Sequence, residues 1–304
     1  MNEPRPIHSA SVLIVSVIVA VGILSSLDKP ARLGWAAGSY PTDAYQVENG
    51  TYKWQQSVNE SLSGLGSLGF ETVNGNITLG PRDDDQDTIL VTAAIEIKRR
   101  FWGTRQSILH AKEKTGIAMI RDGDNLVFRI ENPKLRFYSP VTIVAHLDIR
   151  LPKGCGIPLH AKTVNGRVGA ASLACPMQVE TVNGKIELNE CDGSLQGNTV
   201  NGSIQVENPH QAFHLGTVNG SIHVTVKEAN AEECSLSTVN GHVTVALPEG
   251  AGKNLELSTV NGRARIHEKH AFQGEWKKNQ AKGTINGGGA PVTLSAVNGS
   301  VSIE

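Results

Sequence analysis

The tetrapeptide Thr-Val-Asn-Gly recurs seven times in this 304-residue chain, and no other feature restricts its fold as strongly. The copies are Thr72–Gly75, Thr163–Gly166, Thr181–Gly184, Thr199–Gly202, Thr217–Gly220, Thr238–Gly241 and Thr259–Gly262. Two variants follow, Thr284–Gly287 and Ala296–Gly299. From Asn165 to Asn261 the asparagines fall at intervals of 18, 18, 18, 21 and 21 residues. A fixed period of this size marks an array in which each unit covers its apolar face with its neighbours. The repeat corners are Asn74, Asn165, Asn183, Asn201, Asn219, Asn240, Asn261, Asn286 and Asn298.

Each corner is flanked by period-two alternation. Three and five places after Asn come pairs such as Ile186/Leu188, Ile204/Val206 and Val243/Val245, with Glu187, Gln205 and Thr244 between them. Before the corner the pattern returns in Met177/Val179, Phe213/Leu215 and Leu255/Leu257. Both halves read as strands with one buried face. Two architectures satisfy this. Asn-Gly is a strong two-residue hairpin signal, which gives stacked antiparallel β-hairpins. Alternatively, each unit is one coil of a parallel β-helix-like solenoid, with equivalent strands paired coil to coil. The invariant Val before Asn, read as turned inward by a bend, and the prospect of an asparagine ladder favour the solenoid.

Composition fits a thin aliphatic core. Aromatic residues are 5% of the chain, while Gly supplies 32 positions. No Gly-X-Y period exists, which excludes collagen. A net charge of −1 lacks the basic footprint of a nucleic-acid binder, and no nucleic acid is expected as a partner. The fold class is therefore all-β: a solenoid of 18–21-residue repeats over residues 155–304, preceded by a β-rich cap over 45–154. The cap holds the first repeat, strands such as Ile89–Ile97 and Val141–Leu151, and one short helix within Thr104–Lys114. Residues from His267 to Lys282 form a polar excursion before two last units, and Ser295–Glu304 is expected to leave an open end.

Ala10–Leu27 contains eighteen residues without a charge, within the length that spans a bilayer. It reads as an uncleaved signal anchor and transmembrane helix, with a cleaved signal as the alternative. Residues 1–9 form a short tail and 28–44 a linker. The membrane is thus an expected partner through residues 10–27.

Candidate chemistry is sparse. Cys155, Cys175, Cys191 and Cys234 could pair outside the cytoplasm or serve as small core residues. Asp83, Asp84, Asp85 and Asp87 could hold Ca²⁺ but lack the spacing of an EF-hand loop, so a solvated loop is the plainer reading. His267-Glu268-Lys269-His270 has the wrong spacing for a His-Glu-x-x-His zinc site. Glu187 is an isolated carboxylate among outward Ser, Lys, Arg, Gln, Thr and His. No cofactor, metal or catalytic set is expected. A polysaccharide lyase or hydrolase, which would need clustered carboxylates, is the less favoured alternative.

The Thr-Val-Asn-Gly units, the N-terminal apolar stretch and the strand-rich lead-in together resemble the bacterial putative-adhesin family of β-strand-repeat proteins, over about residues 45–304. That resemblance implies an exported or envelope-anchored β-repeat protein with no established catalytic motif. The expected role is a non-catalytic, membrane-anchored cell-envelope protein that presents a solenoid surface for adhesion-like contact or scaffolding. Its expected partner is an envelope glycan or protein. A self-associating scaffold joined through solenoid ends is the alternative.

Overall fold

The computed structural model describes residues 34–35, 46–48, 51–132, 139–228 and 232–304. Among the described residues no helix is long and apolar enough to cross a membrane; the apolar stretch 10–27 lies outside them.

Each repeat contributes a longer strand ending at its Asn and a shorter strand beginning three residues later. Leu159–Asn165 and Val168–Ala171, then Met177–Asn183 and Ile186–Asn189, then Leu195–Asn201 and Ile204–Glu207 show the pattern. The two strands of one repeat lie in different sheets, so the corner is not a hairpin. Equivalent strands pair in parallel and in register, Asn165 opposite Asn183 and Asn183 opposite Asn201, Val168 opposite Ile186 and Ile186 opposite Ile204. The inward-facing set fills the space between the sheets: Met177, Val179, Leu195, Phe213 and Leu215 from one, Ile186, Leu188, Ile204, Val206, Ile222 and Val224 from the other, each at most 3% exposed.

The structure explains all four positions of the repeated tetrapeptide. Thr, not Val, turns inward. Thr163, Thr181 and Thr217 are fully buried, and each donates its hydroxyl to the corner-glycine carbonyl of the coil before it. Thr163 Oγ1 bonds Gly75 O at 3.0 Å, Thr181 Oγ1 bonds Gly166 O at 3.1 Å, and Thr217 Oγ1 bonds Gly202 O at 2.9 Å. The inward Val expected from sequence is thereby corrected. Val164, Val182, Val200 and Val218 are half-buried on the outer face, because strand alternation that buries Thr must direct its neighbour outward. The glycine answers to crowding. A Cβ on Gly184 would lie 1.8 Å from Gly166 O, and one on Gly202 would lie 1.8 Å from Gly184 O.

A second bend carries its own signature, which no glycine announces. Ser172, Glu190 and Asn208 occupy equivalent positions with φ of 54°, 51° and 51°. Glu190 N donates to Glu207 O at 2.9 Å and Asn208 N to Thr225 O at 2.7 Å, so each left-handed residue is held by the next coil. Left-handed backbone is costly for most L-residues, and here hydrogen bonds along the stack offset it.

Stack order departs from chain order at the C-terminal end. Ala290–Asn298 lies between Cys234–Asn240 and Lys253–Asn261, parallel to both, and Val301–Ile303 lies between Val243–Ala246 and Ala264–Ile266. The last coil is therefore interior, which overturns the expected open end at Ser295–Glu304. The end is instead closed by an antiparallel hairpin, Phe272–Lys277 and Gln280–Ile285, laid along Lys253–Asn261. The polar excursion of the sequence is this hairpin, and Thr284–Gly287 does not begin a repeat.

At the other end the first coil, Ser67–Asn74 with Ile77–Pro81, stacks directly on Leu159–Asn165 and Val168–Ala171. The intervening residues extend both sheets. Asn125–Glu131 runs parallel to Ser67–Asn74 and pairs antiparallel with Gly116–Asp122. Val141–Leu151 runs parallel to Ile77–Pro81 and leads through Thr88–Arg99 to Thr51–Ser61 in antiparallel order. One helix, Arg105–Glu113 (α1), crosses this cap. Thr104 and Ser107 form a reciprocal capping box at its start, and Ile108 and Ala111 are buried beneath it.

Candidate functional site

Eight of the nine predicted corner asparagines converge in one ladder. Beyond Asn74, whose Nδ2 donates to Ile143 O, each Nδ2 donates to the Oδ1 of its neighbour: Asn165 to Asn74 at 2.8 Å, Asn183 to Asn165 at 2.9 Å, and Asn201 to Asn183 at 2.8 Å. The run continues through Asn219, Asn240, Asn298 and Asn261, every link 2.8 Å. All donors point the same way, from Asn261 towards Asn74, so Asn261 holds the terminal acceptor. Asn286 does not join. It sits at φ 49° at the hairpin base, accepts from Ala271 N at 3.0 Å and donates to Ala251 O at 2.9 Å. The ladder ties the coils together, and only Asn261, at its end, has its Oδ1 outside the chain of amide–amide bonds.

The remaining sequence candidates are dispersed. Glu187 lies on the outer face between Arg167 at 3.0 Å and Lys185 at 2.6 Å, and its neighbours along the stack are Gly169 and Gln205. Within the acidic run, Asp84 is clamped by Arg82, whose Nη2 lies 2.7 Å from Asp84 Oδ2. Arg82 also reaches Asn59 Oδ1 at 3.0 Å and Gln86 Oε1 at 3.0 Å. His270 is buried beside Asn286, and burial lowers its pKa, whereas His267 is exposed. None of the four cysteines is in a disulfide. Burial pushes Cys175 up to about 12 and Cys191 up to about 11, so both are inert as nucleophiles.

The Asp84–Arg82 hydrogen bond holds the Asp84 carboxyl below its ordinary value of 3.8. A depressed carboxylate stabilises the fold at pH above the unfolded value, and that stability is lost as pH falls through the folded value. Urea unfolding followed from pH 6 to pH 2 should therefore show a drop in midpoint beginning near pH 4. Asp84→Asn should remove part of that drop while lowering the neutral-pH midpoint.

One concave site is built at the hairpin end of the stack. A dish of about 540 Å³ is lined by Val260, Asn261, Gly262, Arg263, Arg265, Lys278, Asn279 and Ser300. Three parts of the chain meet there. The terminal coil supplies the corner and both arginines. The hairpin tip is fixed by Thr259 N donating to Asn279 O at 2.9 Å and Ala264 N donating to Lys278 O at 3.0 Å. The inserted last coil supplies Ser300, held against the corner by Val301 N donating to Arg263 O at 3.1 Å. Trp276 Nε1 donates to Ala264 O at 3.1 Å and braces the hairpin against this edge. Three cations and no acid line the dish, and Asn261, Asn279 and Ser300 add hydrogen-bonding capacity. Sequence reading missed it because Arg263, Lys278 and Ser300 belong to separate segments. Its one local signal is the paired arginine of Gly-Arg-Ala-Arg.

These features define a two-sheeted parallel β-solenoid, capped at both ends, with a basic dish at the C-terminal end. Residues 159–304 match the family model of Toastrack DUF4097. The stack itself begins earlier, at Ser67, because the first coil is separated in sequence from the others by the cap. Three solved structures are similar to this chain over 83% of its length. One is a putative cell adhesion protein from Clostridium sporogenes ATCC 15579, 13% identical, with 98% of that chain covered and a TM-score of 0.38. Another is a putative adhesin from Bacteroides fragilis NCTC 9343, 9% identical, with 97% covered and a TM-score of 0.37. A third is a putative lipid binding protein from Parabacteroides distasonis ATCC 8503, 11% identical, with 96% covered and a TM-score of 0.39. No curated protein matches the sequence.

Proposed function

We propose that this is a non-catalytic cell-envelope protein, anchored through residues 10–27 with its repeat domain exported, whose solenoid is a rigid platform for adhesion-like contact. The observation that carries the reading is the basic dish. Arg263, Arg265 and Lys278 surround a concavity on a stack of eight coils, about 34 Å long at the usual strand spacing, and no acidic side chain lines it. Guanidinium groups recognise carboxylate and sulfate or phosphate oxygens in bidentate fashion. An acidic glycan of the envelope is the ligand class that suits such a dish, with the two asparagines and Ser300 available to sugar hydroxyls. Glu187, pinned between two cations, has no second carboxylate beside it along its row, so polysaccharide cleavage is not the preferred reading. The full-length chain should be retained on immobilised polygalacturonate and released by salt. Arg263→Ala/Arg265→Ala/Lys278→Ala should weaken retention at least tenfold; undiminished retention would reject the dish as the contact site.

A further inference from the structure

Thr88–Arg99 and helix α1 are joined by a turn that exposes the two aromatic residues Phe101 and Trp102. Phe101 is 102% exposed and Trp102 58% exposed, although large hydrophobic side chains elsewhere in the described residues are overwhelmingly buried. The turn is braced from behind. Arg100 N donates to Pro140 O at 2.9 Å, and Gly103 N donates to Arg100 O at 2.9 Å. A Cβ on Gly103 would lie 2.3 Å from Pro140 O, so the glycine lets the turn close tightly on that carbonyl. Arg100 Nε is anchored on Thr142 Oγ1 at 3.1 Å. The aromatics are thus presented outward by a fixed backbone. On the same unit Leu109 is a further exposed hydrophobic at 44%.

The charge around these aromatics is one-sided. Residues 98–114 contain six cations, including Lys98, Arg99, Arg100 and Arg105, against the single acid Glu113, in a chain whose net charge is −1. Arg99, Arg100 and Arg105 are exposed. Exposed Trp and Phe interleaved with Arg and Lys match the headgroup level of a bilayer, where amphipathic rings and cations partition together. Cations beside an anionic surface add electrostatic attraction to the burial of the rings.

We infer that the Arg99–Arg105 turn is a peripheral membrane contact that inserts Phe101 and Trp102 into the interface of an anionic lipid bilayer. It deepens the membrane-anchored reading but acts separately from residues 10–27. The cap, and not the solenoid, then faces the lipid, which directs the basic dish at the opposite end of the stack away from it.

The test uses the full-length chain mixed with liposomes of zwitterionic or phosphatidylglycerol-containing composition, with flotation and Trp102 emission (unmodified chain minus Trp102→Phe) as readouts. Flotation on both compositions, with Trp102 blue-shifted and quenched by brominated lipid only where the anionic lipid is present, is the expected result. Arg99→Glu/Arg100→Glu/Arg105→Glu should abolish that quenching without changing flotation. Flotation confined to anionic liposomes and lost in Phe101→Ser/Trp102→Ser would support the turn while removing the anchor at 10–27. Flotation with Trp102 unquenched on both compositions would keep the anchor and overturn the turn. No flotation on either would overturn both.

Discussion

Removing residues 290–304 should unfold far more than one coil. Val292, Leu294, Val301 and Ile303 are at most 1% exposed. Burial of each contributes about 1.5–3 kcal/mol, so roughly 6–12 kcal/mol of apolar burial disappears with them. That is comparable to the whole stability of an ordinary domain, about 5–15 kcal/mol. The loss also has a direction. Because Ala290–Asn298 separates Cys234–Asn240 from Lys253–Asn261, its deletion detaches everything from Lys253 to Ile285. Hydrogen exchange of the truncated chain should show lost protection in residues 253–285, while strands between Leu159 and Thr225 keep theirs, as nearest-neighbour stacking requires. The competing outcome is specific. Asn240 and Asn261 are 21 residues apart, a spacing that permits direct stacking, so retained protection in 253–266 would mean that this coil restacks on 234–246 and that the insertion is dispensable.

Gly202→Ala should be far more damaging than loss of the asparagine beside it. Its new Cβ would lie 1.8 Å from Gly184 O and 2.7 Å from the Gly184 carbonyl carbon. The obstacle is backbone that also accepts the Thr199 hydroxyl at 3.2 Å, so neither partner can move without breaking the stack. Overpacking costs typically 1–3 kcal/mol, occasionally more, and the upper part of that range or beyond, about 3 kcal/mol, is expected here. Asn201→Ala provides the contrast. It removes two ladder bonds, to Asn183 and from Asn219, at an exposed position where water can replace them, so a loss of about 1 kcal/mol is expected. Urea midpoints of the two variants decide it. Equal effects would show that the ladder, and not close approach at the glycine, sets corner stability.

Much of this architecture was legible before any coordinates. The 18-residue interval fixed which residues share a position along the stack, and period-two alternation assigned Ile186, Leu188, Ile204 and Val206 to the interior. The asparagine ladder followed from identical side chains at one phase. The role of Thr did not follow. A small polar β-branched residue beside a bend reads as solvent-facing until its hydroxyl is seen bonding a neighbouring carbonyl. Nor was the basic dish legible, because its cations come from a corner and a hairpin tip whose proximity depends on how the end is closed.

The sequence by itself determined the local unit: a strand, a Thr-Val-Asn-Gly corner, a strand, and a narrow aliphatic interior, since these follow from short-range sterics and burial. Tertiary structure alone decided the order of the coils at the C-terminal end. Every coil presents nearly the same edge to its neighbours, so the repeat carries no information about which coil sits where. The choice is made by long-range closure: the hairpin Phe272–Ile285 covers Lys253–Asn261, and the last coil fills the gap behind it. The same closure brings Ser300 to Arg263 and builds the basic concavity at that end of the stack.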